Sequence, residues 1–282
     1  MAAPRQFTLI LVATQFLTRL PVPALTRFQP AWLTQSARYF PLVGVLVGLI
    51  NAAVWWLAHR VFPMGVAVGL MMAASLLVTG AFHEDGFADT CDGFGGGTTR
   101  ERVLAIMKDS RLGAYGAIGI CMMLGLKWAV LTALPAAALP AIVVASHMVS
   151  RWCCMGLIWG LAYVRDEAGG RAKPLADQLS GRDWALGGAI GILACVLGVI
   201  GGVATPAGVL PGAALPGAAL PYAVTVATAV AAATVVAGFI SLLAAMYFKT
   251  RIGGYTGDCL GASQQLAELG FLLAALAVLG AG

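Results

Sequence analysis

Residues 83–93 read His-Glu-Asp-Gly-Phe-Ala-Asp-Thr-Cys-Asp-Gly and set four carboxylates, Glu84, Asp85, Asp89 and Asp92, within nine residues at the end of an apolar run. The chain has 282 residues and twelve acidic side chains, so a third of its acids sit in this stretch. Carboxylates beside a bilayer are costly, so a group of four calls for a chemical reason. Asp85, Asp89 and Asp92 are spaced i, i+4, i+7; on a helix they share an arc of about 60° and face one point. Three hard oxygen donors facing one point suit Mg²⁺ or Mn²⁺ rather than zinc or copper. Gly86 and Gly93 directly follow Asp85 and Asp92 and let a ligand approach the backbone. Glu84 points away from the shared face. His83 has three readings: ligand, general base, or hydrogen-bond donor at a helix end. The bland alternative, a solvated loop whose acids balance nearby arginines, does not account for the density, the spacing and the glycines together.

Two further segments carry the complementary chemistry. Lys108, Asp109, Ser110 and Arg111 are followed by Gly113 and Gly116 at the start of another apolar run. Two cations, a hydroxyl and free N–H groups at a helix start form a phosphate cradle, with Arg supplying a two-pronged grip. The competing reading is a snorkelling membrane-edge anchor. Residues 251–261 (RIGGYTGDCLG) combine four glycines with Arg251, Thr256 and a lone Asp258. A glycine-rich loop alone is a weak signal; here Arg251, Gly254 and Thr256 are candidate substrate contacts. Arg151 lies inside an apolar segment, with His147 one turn before it, and needs an acidic or phosphate partner. Lys127 is placed similarly.

Hard-metal carboxylates beside basic, glycine-rich loops fit Mg²⁺-dependent transfer of a phosphate-containing group. The metal would bridge phosphate oxygens while the cations hold a diphosphate. An attacking hydroxyl also needs a base. The order by position is Asp92, then Asp258, then His83, because a metal-bound Asp85 or Asp89 is too acidic to accept a proton.

The elements that must position these residues are membrane helices. The chain is 60% hydrophobic and only 10% charged, against about 25% charged for a soluble domain. The expectation is an all-α polytopic bundle forming a single catalytic domain, residues 1–282. Spans are expected at Phe40–Ala58, Met64–Phe82, Gly113–Leu134, Ala138–Tyr163, Trp184–Ala204, Tyr222–Tyr247 and Leu266–Gly280, about seven in all. Phe7–Leu20, with Gln15 and Arg19, reads as an interfacial or half-buried helix. Residues 203–222 form an uncharged Pro/Gly/Ala linker on the non-cytoplasmic side. The six cysteines show no C-x-x-C spacing and indicate neither a zinc site nor a disulfide framework. No cleaved targeting peptide is read at the start.

Fourteen loop cations fall before the first span or in even-numbered loops; Arg60 alone falls in an odd one. The positive-inside rule puts the even loops in the cytoplasm. That distribution also explains the net charge of +5 without nucleic acid. All twelve carboxylates read as lying on the cytoplasmic side, Glu268 at the start of the last span. Polar machinery on one face favours an enzyme; a divalent-cation or corrinoid transporter would need carboxylates at mid-membrane.

Three motifs carry a family resemblance: H-x-D-G-x-A-D-x-x-D-G from His83, I-M-K-D-S-R-x-G from Ile106, and G-G-x-T-G-D-x-x-G-A from Gly253. With Thr18-Arg19-Leu20-Pro21-Val22-Pro23 before them, the chain resembles the cobalamin synthase family, the adenosylcobinamide-GDP ribazoletransferases, from about residue 7 to 275. Cys259, Glu84 and the Pro/Ala linker depart from the family's pattern. The resemblance implies an integral-membrane enzyme that joins adenosylcobinamide-GDP to α-ribazole or its 5′-phosphate. The product is adenosylcobalamin or its 5′-phosphate, GMP is released, and Mg²⁺ is the cofactor. It implies a multi-pass protein of the cell inner membrane with its site on the cytoplasmic face, and leaves oligomerisation open. The aspartate spacing is also similar to that of CDP-alcohol phosphotransferases; such an enzyme, or a membrane prenyltransferase, is the competing reading.

Overall fold

The protein is described by a computed structural model covering residues 6–23, 29–164, 179–203 and 219–280. Most of the Pro/Gly/Ala linker, 204–218, lies outside these described residues, as do Arg5, Arg27, Arg165, Asp166, Glu167, Arg171, Lys173 and Asp177. Among the described residues the elements are helical, with one isolated parallel bridge between Tyr163 and Tyr255.

The first helix, α1 (Gln6–Leu17), is apolar and twelve residues long, about 18 Å and too short to span. It buries Leu9, Val12, Ala13 and Leu17. After α2 (Pro30–Ser36) comes α3 (Phe40–Ala58), opened by Pro41 and matching its expected bounds. Proline suits a first helical turn, where its missing N–H costs nothing. Then follow α4 (Met64–Thr79), α5 (Phe82–Gly96), α6 (Arg100–Met107), α7 (Ala114–Ala133), α8 (Leu139–Gly160), α9 (Gly181–Val203), α10 (Ala219–Ile252) and α11 (Gly257–Leu279).

Five helices among the described residues are long and apolar enough to cross a membrane; α4 and α5, taken as one bent span, make six. The 23-residue α9 occupies the stretch expected for the fifth span. The chain is thus a polytopic membrane helical bundle. Its centre is α8, 78% buried over its apolar window, whereas α10 is 22% buried and peripheral. Small residues let α3 and α8 meet backbone to backbone: a Cβ at Gly48 would lie 2.7 Å from Val144 Cα, and one at Gly44 would strike the His147 carbonyl.

Two boundaries differ from expectation. The second span stops at Thr79, because Gly80 and Ala81 adopt left-handed φ of 67° and 54° and turn the chain by 88° into α5. Arg19 braces this corner, its backbone N–H donating to the Val78 carbonyl at 2.7 Å; a Cβ on Gly80 would meet the Arg19 side chain. The last span begins at Gly257, nine residues early, where Thr256 caps the helix by accepting the Cys259 N–H at 3.3 Å. Glu268 therefore falls halfway along α11 and is 7% exposed. This corrects the reading that every carboxylate lies at one membrane edge.

Candidate active site

The three spaced aspartates do share one helix. In α5 the residues Glu84 and Asp85 occupy the first turn, where the helix dipole favours negative charge. Carrying four carboxylates and set across α4, α5 reads as a helix at the membrane edge rather than through it. Its packing partner is the start of α11. A Cβ on Gly86 would come within 2.9 Å of Asp258 Cα, and one on Gly261 within 2.9 Å of the His83 carbonyl oxygen. Gly86 thus serves helix contact, not ligand approach. Gly93 does the same against α6, where a Cβ would collide with the Met107 side chain.

This crossing sets Asp258 beside the α5 acids. Asp89 registers the crowding: burial, then the charges of Asp258, Asp85 and Asp92, push its carboxyl up to about 6. Asp85 is exposed, and Asp89 and Asp258 are half-buried. As the side chains stand, no three His, Cys, Asp or Glu groups among the described residues are gathered closely enough to hold an ion.

Asp92 has a second occupation. Its Oδ2 accepts the Gly113 N–H at 2.7 Å and its Oδ1 the Gly116 N–H at 2.8 Å. It is 7% exposed and caps α7. The anion at the helix start expected to cradle phosphate is therefore the protein's own carboxylate. The neighbouring loop is exposed, and there Arg111 grips Asp109, with Nη2–Oδ2 at 2.6 Å and Nε–Oδ1 at 3.0 Å. The Arg111 fork holds the Asp109 carboxyl down at about 2. Lys108 and Ser110 lie exposed on the same loop.

In the third motif, Arg251 donates to Tyr247 Oη at 2.6 Å and to the Gly97 carbonyl at 2.7 Å, tying the end of α10 to the end of α5. Gly254 allows the 162–164 segment to pair with Tyr255, whose N–H donates to the Ala162 carbonyl at 3.0 Å; a Cβ there would strike that oxygen. Thr256 caps α11, and its hydroxyl lies 3.5 Å from Asp258 Oδ2. Motifs one and three thus meet at Asp258, with motif two joined through Asp92.

The remaining candidates face inward. His83 is 5% exposed; burial, then the charge of Arg151, keeps it well below the usual imidazole range. Arg151, 2% exposed, donates to the His147 carbonyl at 3.0 Å. They belong to a buried polar network that the sequence reading only brushed. Lys127 Nζ donates to Glu268 Oε1 at 2.8 Å and Gln265 Oε1 at 2.6 Å. Gln265 Nε2 donates to Glu84 Oε1 at 2.9 Å, and Asn51 Nδ2 meets His147 Nε2 at 2.8 Å. The available signal was Gln264, Gln265 and Glu268 interrupting an apolar run at helical spacing, with two buried cations to answer them.

The cobalamin-5-phosphate synthase family matches residues 9–276, a stretch that takes in all three motifs. The chain belongs to the cobalamin-5-phosphate synthase family. Among similar proteins, the adenosylcobinamide-GDP ribazoletransferase of Leptothrix cholodnii is 46% identical over 95% of this chain and 95% of its own length. Those of Shewanella frigidimarina and Ralstonia pickettii are each 43% identical, over 97% and 94% of this chain and 96% and 93% of their own lengths. No solved structure matches. For this synthase family member, the α5–α11 crossing therefore sits inside the matched region, and its acids are the natural place to look for the chemistry.

Proposed function

We propose that this protein is an adenosylcobinamide-GDP ribazoletransferase that joins adenosylcobinamide-GDP to α-ribazole or its 5′-phosphate and releases GMP. The observation that carries the reading is the crossing of α5 and α11, which brings Asp258 beside the helix carrying Asp85 and Asp89 in a chain matching the family over residues 9–276. A hydroxyl of the ribazole attacks the phosphorus that remains with the cobinamide, and GMP departs.

Mg²⁺ fits the donor set. Asp89 is crowded by three carboxylates, and a hard divalent cation would relieve that crowding. Asp85 and Asp89 would hold it, with Asp92 behind them holding α7 in place. When bound, the ion neutralises charge on the diphosphate. Asp258, brought beside α5 by the helix crossing, is the group proposed to take the proton from the attacking hydroxyl. Arg111 would exchange Asp109 for a phosphate, which its exposed position permits.

The loop charges support an inner-membrane protein with this site on the cytoplasmic face. The buried Glu268 does not revive the transporter reading, because Lys127 neutralises it directly. The deciding experiment is GMP release from adenosylcobinamide-GDP by the purified protein, with Mg²⁺ and after chelation. GMP release without any metal requirement would refute the metal assignment. No GMP release, or release driven equally by lipid alcohols, would refute the reaction.

A further inference from the structure

Away from the acidic crossing, a groove runs between α8 and α10, closed at one end by Trp184 of α9. It encloses about 530 Å³, a volume typical of small-molecule sites. Along α10 it follows a single face from Thr234 to Lys249, about 22 Å of helix. Half a bilayer, headgroups included, is about 20–22 Å thick, so the groove is as long as one leaflet is deep.

Its walls are apolar and hollowed by glycine: a Cβ at Gly160 or Gly238 would meet nothing within 4 Å. The helix that forms one wall, α10, is the least covered of the long apolar helices, so the groove opens toward lipid rather than water. One end differs from the rest. The helices α8 and α10 both finish there, their following residues joined through Tyr163 and Tyr255. Trp184 stacks there between Trp152 and Trp159, with centroids 4.8 and 5.5 Å away; tryptophan collects at the headgroup level of membranes. Lys249 stands at the same end, exposed and without an ion pair among the described residues. Arg251, two residues on, is by contrast committed to Tyr247 and Gly97.

We propose that this groove binds one anionic phospholipid, with an acyl chain lying along α10 and the headgroup phosphate on Lys249. The length selects a lipid of a single leaflet, and the exposed cation at the aromatic end selects a negative headgroup. This assignment is independent of the reaction proposed above.

The test uses the full-length protein in nanodiscs of equal phosphatidylglycerol and phosphatidylcholine with identical chains, released for native mass spectrometry. The wild type should retain phosphatidylglycerol over phosphatidylcholine by about fivefold, the preference one lysine near a surface confers. K249Q should retain lipid but lose the preference. G238L, which fills the groove, should retain neither; T234L provides the same obstruction at the other end should G238L fail to fold. Equal retention of both lipids by the wild type, or an unchanged preference in K249Q, would overturn the proposal. So would a dimer without lipid, since a second copy would then be the occupant.

Discussion

Two regions of this molecule hold carboxylates close to α11, and they treat them in opposite ways. In the interior, Glu268 is met by Lys127 at 2.8 Å and by Gln264, and Glu84 by Gln265. At the helix crossing, Asp258 comes beside the acids of α5 with no ion pair to Asp85, Asp89 or Asp258 among the described residues, and burial, then the neighbouring carboxylates, raise the Asp89 carboxyl above its ordinary value. Matched charge holds helices together; unmatched charge waits for a ligand. A like-charged cluster near a surface, carrying a perturbed carboxyl, is a candidate site, and the proposed chemistry is placed there for that reason.

The contrast is sharpest in what single substitutions should do. Lys127→Met leaves Glu268 buried without its lysine, and should lower the stability of the detergent-solubilised protein by about 3–5 kcal/mol. Replacing both, as Lys127→Met with Glu268→Met, should recover most of that loss in a denaturation series. Additive losses would mean the two groups do not act as a pair. Asp85→Asn should instead leave the melting midpoint in place and cut GMP release by about a hundredfold or more, the worth of several kcal/mol of charge stabilisation. A destabilised but fully active variant would move Asp85 from the site to the scaffold.

Asp92 sits between the two regions and divides them. As a cap on α7 it should lose about 0.5–2 kcal/mol of stability as Asp92→Ala, with a smaller fall in rate than Asp85→Asn. Full stability with activity that excess Mg²⁺ restores would make it a metal ligand first.

The perturbed Asp89 predicts a pH effect. Its folded value of about 6 exceeds the ordinary 3.8. Without a cation its contribution to stability is therefore present below pH about 4 and lost as pH rises through about 6. Mg²⁺ competes with that proton, so the Mg²⁺ concentration for half-maximal rate should fall from pH 5 to 7, and Asp89→Asn should flatten the curve. The smallest effect belongs to Arg111→Lys. An exposed pair with Asp109 contributes little to stability, so melting should not change. The KM for the diphosphate substrate should rise, because lysine lacks the two-pronged grip. An unchanged KM for both substrates would leave Arg111 with Asp109 alone.

Much of this architecture could be read from residue patterns, and the misses have physical causes. The span at Phe40–Ala58 is uninterrupted and proline-led, so hydropathy found both ends. The α4–α5 corner was placed three residues late because a left-handed turn at Gly80-Ala81 leaves no mark in hydropathy. The start of α11 was placed nine residues late because Asp258, Gln264 and Gln265 look like loop residues until the helix cap at Thr256 and the Lys127 partner of Gln265 are seen. The spacing of Asp85, Asp89 and Asp92 gave their common helix. It did not reveal that Asp92 would turn to α7, since the recipients are backbone N–H groups that no side-chain pattern announces. The glycines beside the aspartates were visible, but their purpose was a neighbouring helix, a long-range fact that local spacing does not contain.

The seat of α5 on α11 also has a consequence for biogenesis. Gly86 leaves the ribosome about 175 residues before Gly261, the residue it packs against. At roughly 5–20 residues per second, the acidic helix is synthesised roughly 9–35 s before its support exists. A truncated chain lacking the last helix would carry every aspartate of α5 and still have no Asp258 and no surface to hold it. On the role proposed for Asp258, the acidic helix gains both its support and its partner carboxylate only once α11 has been made.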